Sequence, residues 1–125
     1  MAQPKTPRQR WERARESDWT VSDKRVLVLR RPLFVEYLKW NSEGGNLEVM
    51  RNSIVGWRGF IGIDFEGGTD QDPVQFDVDL AVGWMADRPE KLLEAMEHLV
   101  SLINARQEEL KGDQGNSNAP SATSS

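Results

Sequence analysis

The side chains in this sequence that could do chemistry are carboxylates and a single imidazole. The chain of 125 residues has no cysteine and one histidine, His98. It therefore offers no thiolate nucleophile or thiolate metal site, and one imidazole does not make a histidine metal cluster. The sequence also lacks a glycine-rich phosphate loop and a serine in a nucleophile-elbow context. These features indicate a protein that is not an enzyme and uses no cofactor.

Two groups of acids invite a catalytic or metal-binding interpretation. Asp77 and Asp79 are close in sequence, but acids at a helix start have a sufficient structural reason, since they interact with free backbone N–H groups. Residues 64–73 contain four acids, yet they lack the order of acids, central glycine and terminal glutamate of an EF-hand loop. We therefore expect no metal site. His98 lies beside Glu97 and an apolar stripe, and we interpret it as a surface residue.

Hydrophobic periodicity predicts the elements that position these residues. Residues 19–31 alternate around a turn-like Ser-Asp-Lys-Arg, which is typical of a β-hairpin. A helix follows Pro32, and Glu43-Gly-Gly-Asn46 interrupts it, with Asn46 able to cap a second helix. The apolar residues of these two helices recur at steps of three and four. They are Leu33, Phe34, Tyr37, Leu38 and Trp40 in the first, and Leu47, Met50, Ile54 and Trp57 in the second.

The second half of the chain is expected to hold another hairpin and two helices. A β-like alternation at Ile61, Ile63 and Phe65, a Gly67-Gly68 tip and a return through Val74 and Phe76 predict the hairpin. Asp77 then caps a helix to Ala86 that buries Leu80, Ala81, Trp84 and Met85. Asp87-Arg-Pro-Glu90 is a capping-box start for a last helix reaching about Lys111. The fold class is a mostly helical α+β single domain with one or two small hairpins, a long C-terminal helix and disordered termini.

Charge and composition divide the chain into three parts. We expect a basic flexible arm at residues 1–17, a compact domain at 18–111 and a disordered Gly/Asn/Ser-rich tail at 112–125. Residues 1–31 contain nine Lys/Arg and four Asp/Glu, whereas residues 32–125 contain seven and sixteen. A basic arm on an acidic body attracts acidic partners or the body of another copy. The start of the chain lacks the apolar region of a signal peptide, and no run is long enough for a membrane span, so we expect a soluble intracellular protein.

Two surfaces are candidates for binding. Arginines around a tryptophan in the basic arm favour nucleic acid, although a solvated arm is the simpler interpretation. These residues are Arg8, Arg10, Trp11, Arg13 and Arg15. The apolar helical stripes and the aromatic corner between them favour core packing, or contact with an amphipathic partner. The candidate partner-binding residues are Leu92, Met96, Leu99, Ile103 and Leu110 in the last helix, with Trp57, Phe60 and Trp84.

The order of these segments resembles the small tail assembly chaperones of long-tailed bacteriophages. The resemblance covers about residues 20 to 110. It rests on the β segment ending in Arg-Arg-Pro32, the corner Ile54-Val-Gly-Trp-Arg-Gly-Phe60, an acidic glycine turn, Pro73-Val-Gln-Phe-Asp77 and the helix after Asp87-Arg-Pro. The basic arm before residue 18 departs from the family pattern. It leaves open another phage morphogenesis role, such as a small nucleic-acid-binding regulator.

The resemblance implies a non-catalytic role in virion morphogenesis in the host bacterial cytoplasm. Such a chaperone coats and solubilises the long tape measure protein and brings tail tube subunits to it. Members often self-associate, so a homo-oligomer is expected, with no membrane partner. A longer form made by frameshifting is also common in the family.

Overall fold

The computed structural model describes residues 6–117, and side chains are described as far as residue 113. Its elements are α1 (Pro7–Ala14), β1 (Glu16–Ser22), β2 (Arg25–Arg30), α2 (Phe34–Ser53), β3 (Ile54–Arg58), a short 3-10 turn (Gly62–Asp64), α3 (Val78–Ala86) and α4 (Pro89–Ser117). The strands form one antiparallel sheet in the order β1, β2, β3. The α+β class and the long C-terminal helix are therefore as predicted.

The predicted first hairpin is confirmed. β1 pairs with β2 through a register in which Trp19 lies opposite Leu27, and the turn between them places Lys24 at φ +63°. Leu27 and Leu29 point to the same side of the sheet, because alternate residues of a strand share a face, and both are fully buried. That face of the hairpin packs on the helices, which an isolated hairpin needs in order to be stable.

The core takes side chains from the sheet, from Phe60 just after β3, and from helices α2, α3 and α4. Its buried members are Val21, Leu27, Leu29, Val49, Met50, Ile54, Phe60, Ala81, Met85, Ala95, Met96 and Leu99. Ile103 of α4 is also buried, with 3% of its surface exposed. A charged substitution at Leu99 or Ile103 would therefore place an unpaired charge in the interior and unfold the protein.

The interruption predicted in the middle of the helical region is confirmed, but the second helix is shorter than expected. Gly45 adopts φ +70° and ψ −156°, which kinks α2. Asn46 does not cap a helix start as predicted, because the non-helical residue at the break is Gly45, and Asn46 already has helical backbone angles. The Asn46 side-chain oxygen accepts a hydrogen bond from the Asn41 amide at 3.2 Å. The helix ends at Ser53, and Ile54 begins strand β3. The assignment of Ile54 and Trp57 to a helical stripe was wrong, since pairing with β2 outweighs the helical spacing.

The second hairpin was also predicted wrongly. Residues 61–73 form a compact loop, whose two limbs meet at a bridge between Ile61 and Pro73. Two hydrogen bonds close it: Gly62 N–H donates to the Asp72 carbonyl at 3.1 Å, and Ile63 N–H donates to the Asp70 carbonyl at 2.9 Å. The 3-10 turn at the start of the loop breaks the alternation that a strand requires, so the apolar residues do not share one sheet face.

The start of α3 matches the prediction. The Asp77 carboxylate accepts from the N–H groups of Asp79 at 2.8 Å and Leu80 at 3.3 Å. Asp87 was predicted to cap the start of the last helix. It is instead the C-cap of α3, with its N–H donating to the Gly83 carbonyl, and α4 opens at Pro89. Leu80, expected to be buried, has 41% of its surface exposed.

Both ends of the domain differ from the expected boundaries. Residues 7–14, expected in a flexible arm, form α1, because Thr6 and Gln9 make a reciprocal capping box with hydrogen bonds of 3.0 and 3.2 Å. The next residues pair with β2, and the Arg31 N–H donates to the Arg15 carbonyl at 2.8 Å. Helix α4 continues to Ser117, which makes it about 43 Å long for its 29 residues. The expected disorder of residues 1–5 and 118–125 lies outside the described residues.

We expect Gly59→Ala to destabilise the protein. Gly59 has φ +85°, and a Cβ atom there would lie 1.7 Å from the Lys24 carbonyl oxygen in the hairpin turn. Left-handed backbone strain alone costs about 1–3 kcal/mol, and the clash adds to it. Gly112→Ala is the matched control, because Gly112 lies in α4 with nothing near its Cβ position, and the change should stabilise by about 0.5–1 kcal/mol. Urea unfolding measures the stability of both variants. Equal stability of the Gly59 variant and the native protein would show that Gly59 does not lie this close to the Lys24 carbonyl.

Candidate partner-binding groove

Aromatic side chains pack together beneath the loop that follows β3. The Trp57 ring stacks on Phe60 with centroids 4.7 Å apart, and it contacts Phe65 at 5.5 Å and the edge of Phe76 at 5.2 Å. Phe60 also meets Trp84 of α3 edge to face at 5.5 Å. These contacts hold both the loop and α3 against the same cluster of rings, so the loop and α3 are fixed relative to each other.

Trp57 also fixes the far limb of the loop. Its Nε1–H donates to the Val74 carbonyl at 2.8 Å. Phe60 continues the connection, because the Val74 N–H donates to the Phe60 carbonyl at 3.0 Å. The loop therefore enters and leaves at fixed points, and its position relative to α3 is set by buried contacts.

An ion pair ties the near limb of the loop to the hairpin. The Arg25 guanidinium contacts both carboxylate oxygens of Asp64, with the shortest distance 2.8 Å, and Asp64 also accepts from the Ile61 N–H at 2.8 Å. Burial on its own would raise the pKa of Asp64. The hydrogen bonds from Arg25 and Ile61, with the charges of Arg25 and Arg88, outweigh burial and hold the pKa of this carboxyl below its ordinary value.

An open groove of about 720 Å³ lies between this loop and α3. Its lining comprises Ile63, Asp64, Phe65, Glu66, Gly67, Gly68, Asp79, Leu80, Gly83, Trp84, Asp87 and Arg88. Two of its apolar side chains are strongly exposed, Ile63 at 55% and Leu80 at 41%. Gly83 has nothing within 4 Å of its Cβ position, so the groove is open above α3 at this residue.

The groove has an acidic rim. Residues 59–87 contain seven Asp/Glu and no Lys or Arg. Of the acids in the lining, Asp64 pairs with Arg25 and Asp79 pairs with Arg51. Glu66 and Asp87 are exposed to solvent. The groove therefore combines apolar contact surface with negative charge that a partner can approach.

Arg88 is the one cationic residue of the lining, and α3 holds it in place. Its guanidinium lies over the Trp84 ring at 4.0 Å from the centroid and donates to the Trp84 carbonyl at 3.0 Å. This cation–π contact covers one side of Trp84.

The structure places the predicted partner-binding residues in different environments. Phe60, Met96, Leu99 and Ile103 are buried, so they offer no contact surface in this conformation. Leu92 and Trp57 are partly buried against the core, and Leu110 is 37% exposed near the end of α4. Trp84 lines the groove. Ile63 and Leu80 were not predicted as partner-binding residues, because the periodicity of the sequence assigned both to an interior face.

Other apolar side chains are also exposed. Phe34, Val35 and Leu38 lie within one turn of α2, with 46%, 73% and 50% of their surface exposed. Leu93, 56% exposed, lines a depression of about 370 Å³ between α2 and α4, whose one charged lining residue is Glu97. These surfaces lack the acidic rim of the groove.

The residues proposed for nucleic acid lie on or next to α1. Arg8, Arg10 and Arg13 are exposed, whereas the side chain of Arg15 is only 8% exposed and packs over the Trp11 ring, 4.7 Å from its centroid. Trp11 is 48% exposed. Three of the four arginines are thus displayed on a formed helix, and the fourth turns toward the body of the protein.

His98, the remaining candidate for chemistry, was interpreted as a surface residue, but it is half-buried, and its Nε2 lies 3.3 Å from the Ser17 hydroxyl. Burial lowers the pKa of His98, which favours the neutral ring. Across residues 6–117 no group of three potential metal ligands comes together, and no helix there is long and apolar enough to cross a bilayer.

We expect the Arg25–Asp64 pair to contribute more to stability than the exposed Arg58–Asp18 pair. The side chains of the first pair are 23% and 16% exposed, and those of the second 58% and 55%. Double-mutant cycles with Arg25→Gln and Asp64→Asn, and with Arg58→Gln and Asp18→Asn, should give a several-fold larger coupling for the first pair. Equal couplings would contradict the proposed anchoring of the loop.

The pH dependence of this coupling follows from the lowered pKa of Asp64. Its contribution is fully present above the ordinary carboxyl pKa of 3.8, and it is lost as the pH falls through the lower value of the folded state. Urea unfolding of the four proteins of the first cycle at neutral and acidic pH measures this loss.

Comparison with known proteins gives no match, whether to a protein-family model, a curated protein or a solved structure. The function of the chain is therefore inferred from its residues and their geometry.

Proposed function

We propose that this chain is a non-catalytic assembly chaperone that binds an amphipathic helix of its partner in the groove between the 61–68 loop and α3. The observation that carries the proposal is the groove itself, in which exposed Ile63 and Leu80 lie beside the exposed acids Glu66 and Asp87. The one cation of the lining, Arg88, is held over the Trp84 ring. The matching partner presents apolar residues on one helical face and Lys or Arg beside them.

The dimensions of the groove suit a short helical segment. Helix α3 has nine residues and is about 13 Å long, so its length matches two to three turns of a partner helix. Fully burying an exposed apolar side chain contributes about 1.5–3 kcal/mol, and Ile63 and Leu80, at 55% and 41% exposed, would each contribute about half of that. Ile63 and Leu80 together thus support weak, reversible binding, which suits a chaperone that must release its client.

Charge determines which helices bind. The acids of the rim attract a basic helix and repel an acidic one, so they contribute selectivity and a faster encounter. This attraction weakens as salt is added, because the rim is exposed to solvent. Contact with the apolar floor persists in salt, and the two contributions can be separated by ionic strength.

The resemblance to phage tail assembly chaperones supports the tape measure protein as this client. A tape measure protein consists of long amphipathic helices. A chaperone in the bacterial cytoplasm would keep these helices soluble. The resemblance also implies the tail tube protein and a second copy as partners. We assign the second copy to the exposed turn of α2 at Phe34, Val35 and Leu38, since a two-fold contact brings identical apolar patches together.

Nucleic acid is a second candidate partner, favoured by the folded state of α1. The helix displays Arg8, Arg10 and Arg13 together with half-exposed Trp11. A phosphate backbone would contact such cations without sequence preference, and the affinity would fall steeply with salt. Absence of binding to single- and double-stranded DNA and RNA at low salt would eliminate this candidate.

We expect Gly83→Lys to abolish client binding. The new side chain enters the open space above α3 and puts a cation where the client's cation should lie. Gly112→Lys is the matched control, because it makes the same change at a helical position outside the groove with equally free space. Soluble yield of a co-expressed tape measure protein should fall for the first variant alone.

A peptide assay tests the groove independently of the client's identity. An amphipathic Leu/Lys helical peptide should bind the native protein and the Gly112 variant, with at least about tenfold weaker binding to the Gly83 variant. A Leu/Glu peptide of the same pattern should bind none of them. Equal binding of the Leu/Lys peptide to all three proteins would place the partner surface elsewhere.

A further inference from the structure

A second cavity, of about 340 Å³, lies between α1, the start of β1 and α4. Its lining comprises Trp11, Ala14, Arg15, Glu16, Ser17, Arg31, Leu102, Ala105, Arg106 and Glu109. Trp11, Leu102 and Ala105 contribute apolar or aromatic surface to the lining, and Arg15, Arg31 and Arg106 contribute cations. The volume lies within the range of small-ligand sites in proteins.

Two of its three arginines are neutralised by carboxylates. Arg15, whose side chain is only 8% exposed, donates from Nη2 to Glu36 at 3.4 Å and from Nε to the Arg31 carbonyl at 2.9 Å. Arg106 pairs with Glu109 at 3.0 Å. Glu16, also in the lining, pairs with Arg30 at 3.2 Å. The carboxylates around the cavity are therefore already engaged.

Arg31 is the exception. Arg31 donates from Nη1 to the neighbouring Pro32 carbonyl at 3.4 Å, and no carboxylate of residues 6–113 lies within ion-pair distance of it. Burial lowers the pKa of Arg31, and the charges of Arg15 and Arg106 lower it further, against a smaller opposing effect of Glu109. A half-buried cation beside two others lacks the compensation that buried charges normally have.

We propose that this cavity binds a small ligand that carries one anionic group, phosphate or carboxylate, on an aromatic or apolar body. The free N–H groups of Arg31 hold the anion, since a guanidinium matches two oxygens of either group. The ligand body lies against Trp11 and Leu102. This site is separate from the groove of α3 and does not depend on the chaperone function.

The single unpaired cation argues for a small ligand and against a nucleic-acid strand. Of the three arginines that line the cavity, Arg15 and Arg106 are paired with carboxylates, which leaves Arg31 for an anion. Successive phosphates of a strand would need further free cations. The cavity therefore favours a ligand with one anionic group.

Phenyl phosphate, benzoate and inorganic phosphate are suitable probes at constant ionic strength. Binding is followed by calorimetry and by tryptophan fluorescence, with Trp11→Phe showing how much of the signal belongs to Trp11. We expect saturable binding of phenyl phosphate or benzoate, and their ratio of affinities shows whether phosphate or carboxylate is preferred. Inorganic phosphate should bind more weakly than phenyl phosphate, because it lacks the body that contacts the aromatic wall.

Arg31→Gln should weaken binding of the better probe by about tenfold or more. Arg31→Lys should weaken it less, since lysine keeps the positive charge but loses the paired N–H donors of the guanidinium. Arg13→Gln is the matched control, because Arg13 is an exposed arginine of α1 that does not line the cavity. Circular dichroism confirms that each variant is folded. No binding of either aromatic probe at roughly 10 mM, or equal binding to the Arg31 and Arg13 variants, would overturn the proposal.

Discussion

The packing of Trp57 is the interaction on which the rest of the structure depends. Its backbone pairs with Leu27 in the sheet, its ring stacks on Phe60, and its indole N–H holds the Val74 carbonyl. One residue thus connects the sheet, the start of the loop and the end of the loop. Because Phe60 in turn meets Trp84, the position of α3 depends on the same contacts. A groove between a loop and a helix keeps its shape only if both of its walls are fixed in this way.

Several features that depend only on neighbouring residues were predicted correctly from the sequence. The Asp77 cap, the Gly45 kink and the Asp-Lys turn of the hairpin each arise from a few neighbouring residues with special backbone or side-chain chemistry. Ile54 and Trp57 show the limit. Their spacing from Met50 fits a helix, while their β-branched and aromatic character fits a strand, and only the presence of β2 alongside decides between the two.

The candidate sites were less predictable, since exposure is a property of the assembled fold. The aromatic rings were predicted correctly as a cluster, yet Leu99 and Ile103 were predicted to contact a partner, and both are buried where α4 packs in the core. The N-terminal cations were likewise predicted to form a free arm. The surroundings of Arg31 could not be predicted either. Nothing in the sequence shows that Arg15 and Arg106, from distant segments, lie near it, or that Arg15 already pairs with Glu36.

The separation of basic α1 from the acidic groove raises the question of whether copies attract one another. Helix α1 is fixed by its Thr6 cap and by the Arg15–Arg31 contacts, and Trp11 faces the cavity beside α4. About half of Trp11 is exposed, so α1 offers a neighbouring groove its arginines and only part of one large apolar side chain. Exposed charge pairs of this kind contribute little and are screened by salt. The groove consequently favours a helix with several apolar side chains beside its cations, which α1 in its folded position does not offer.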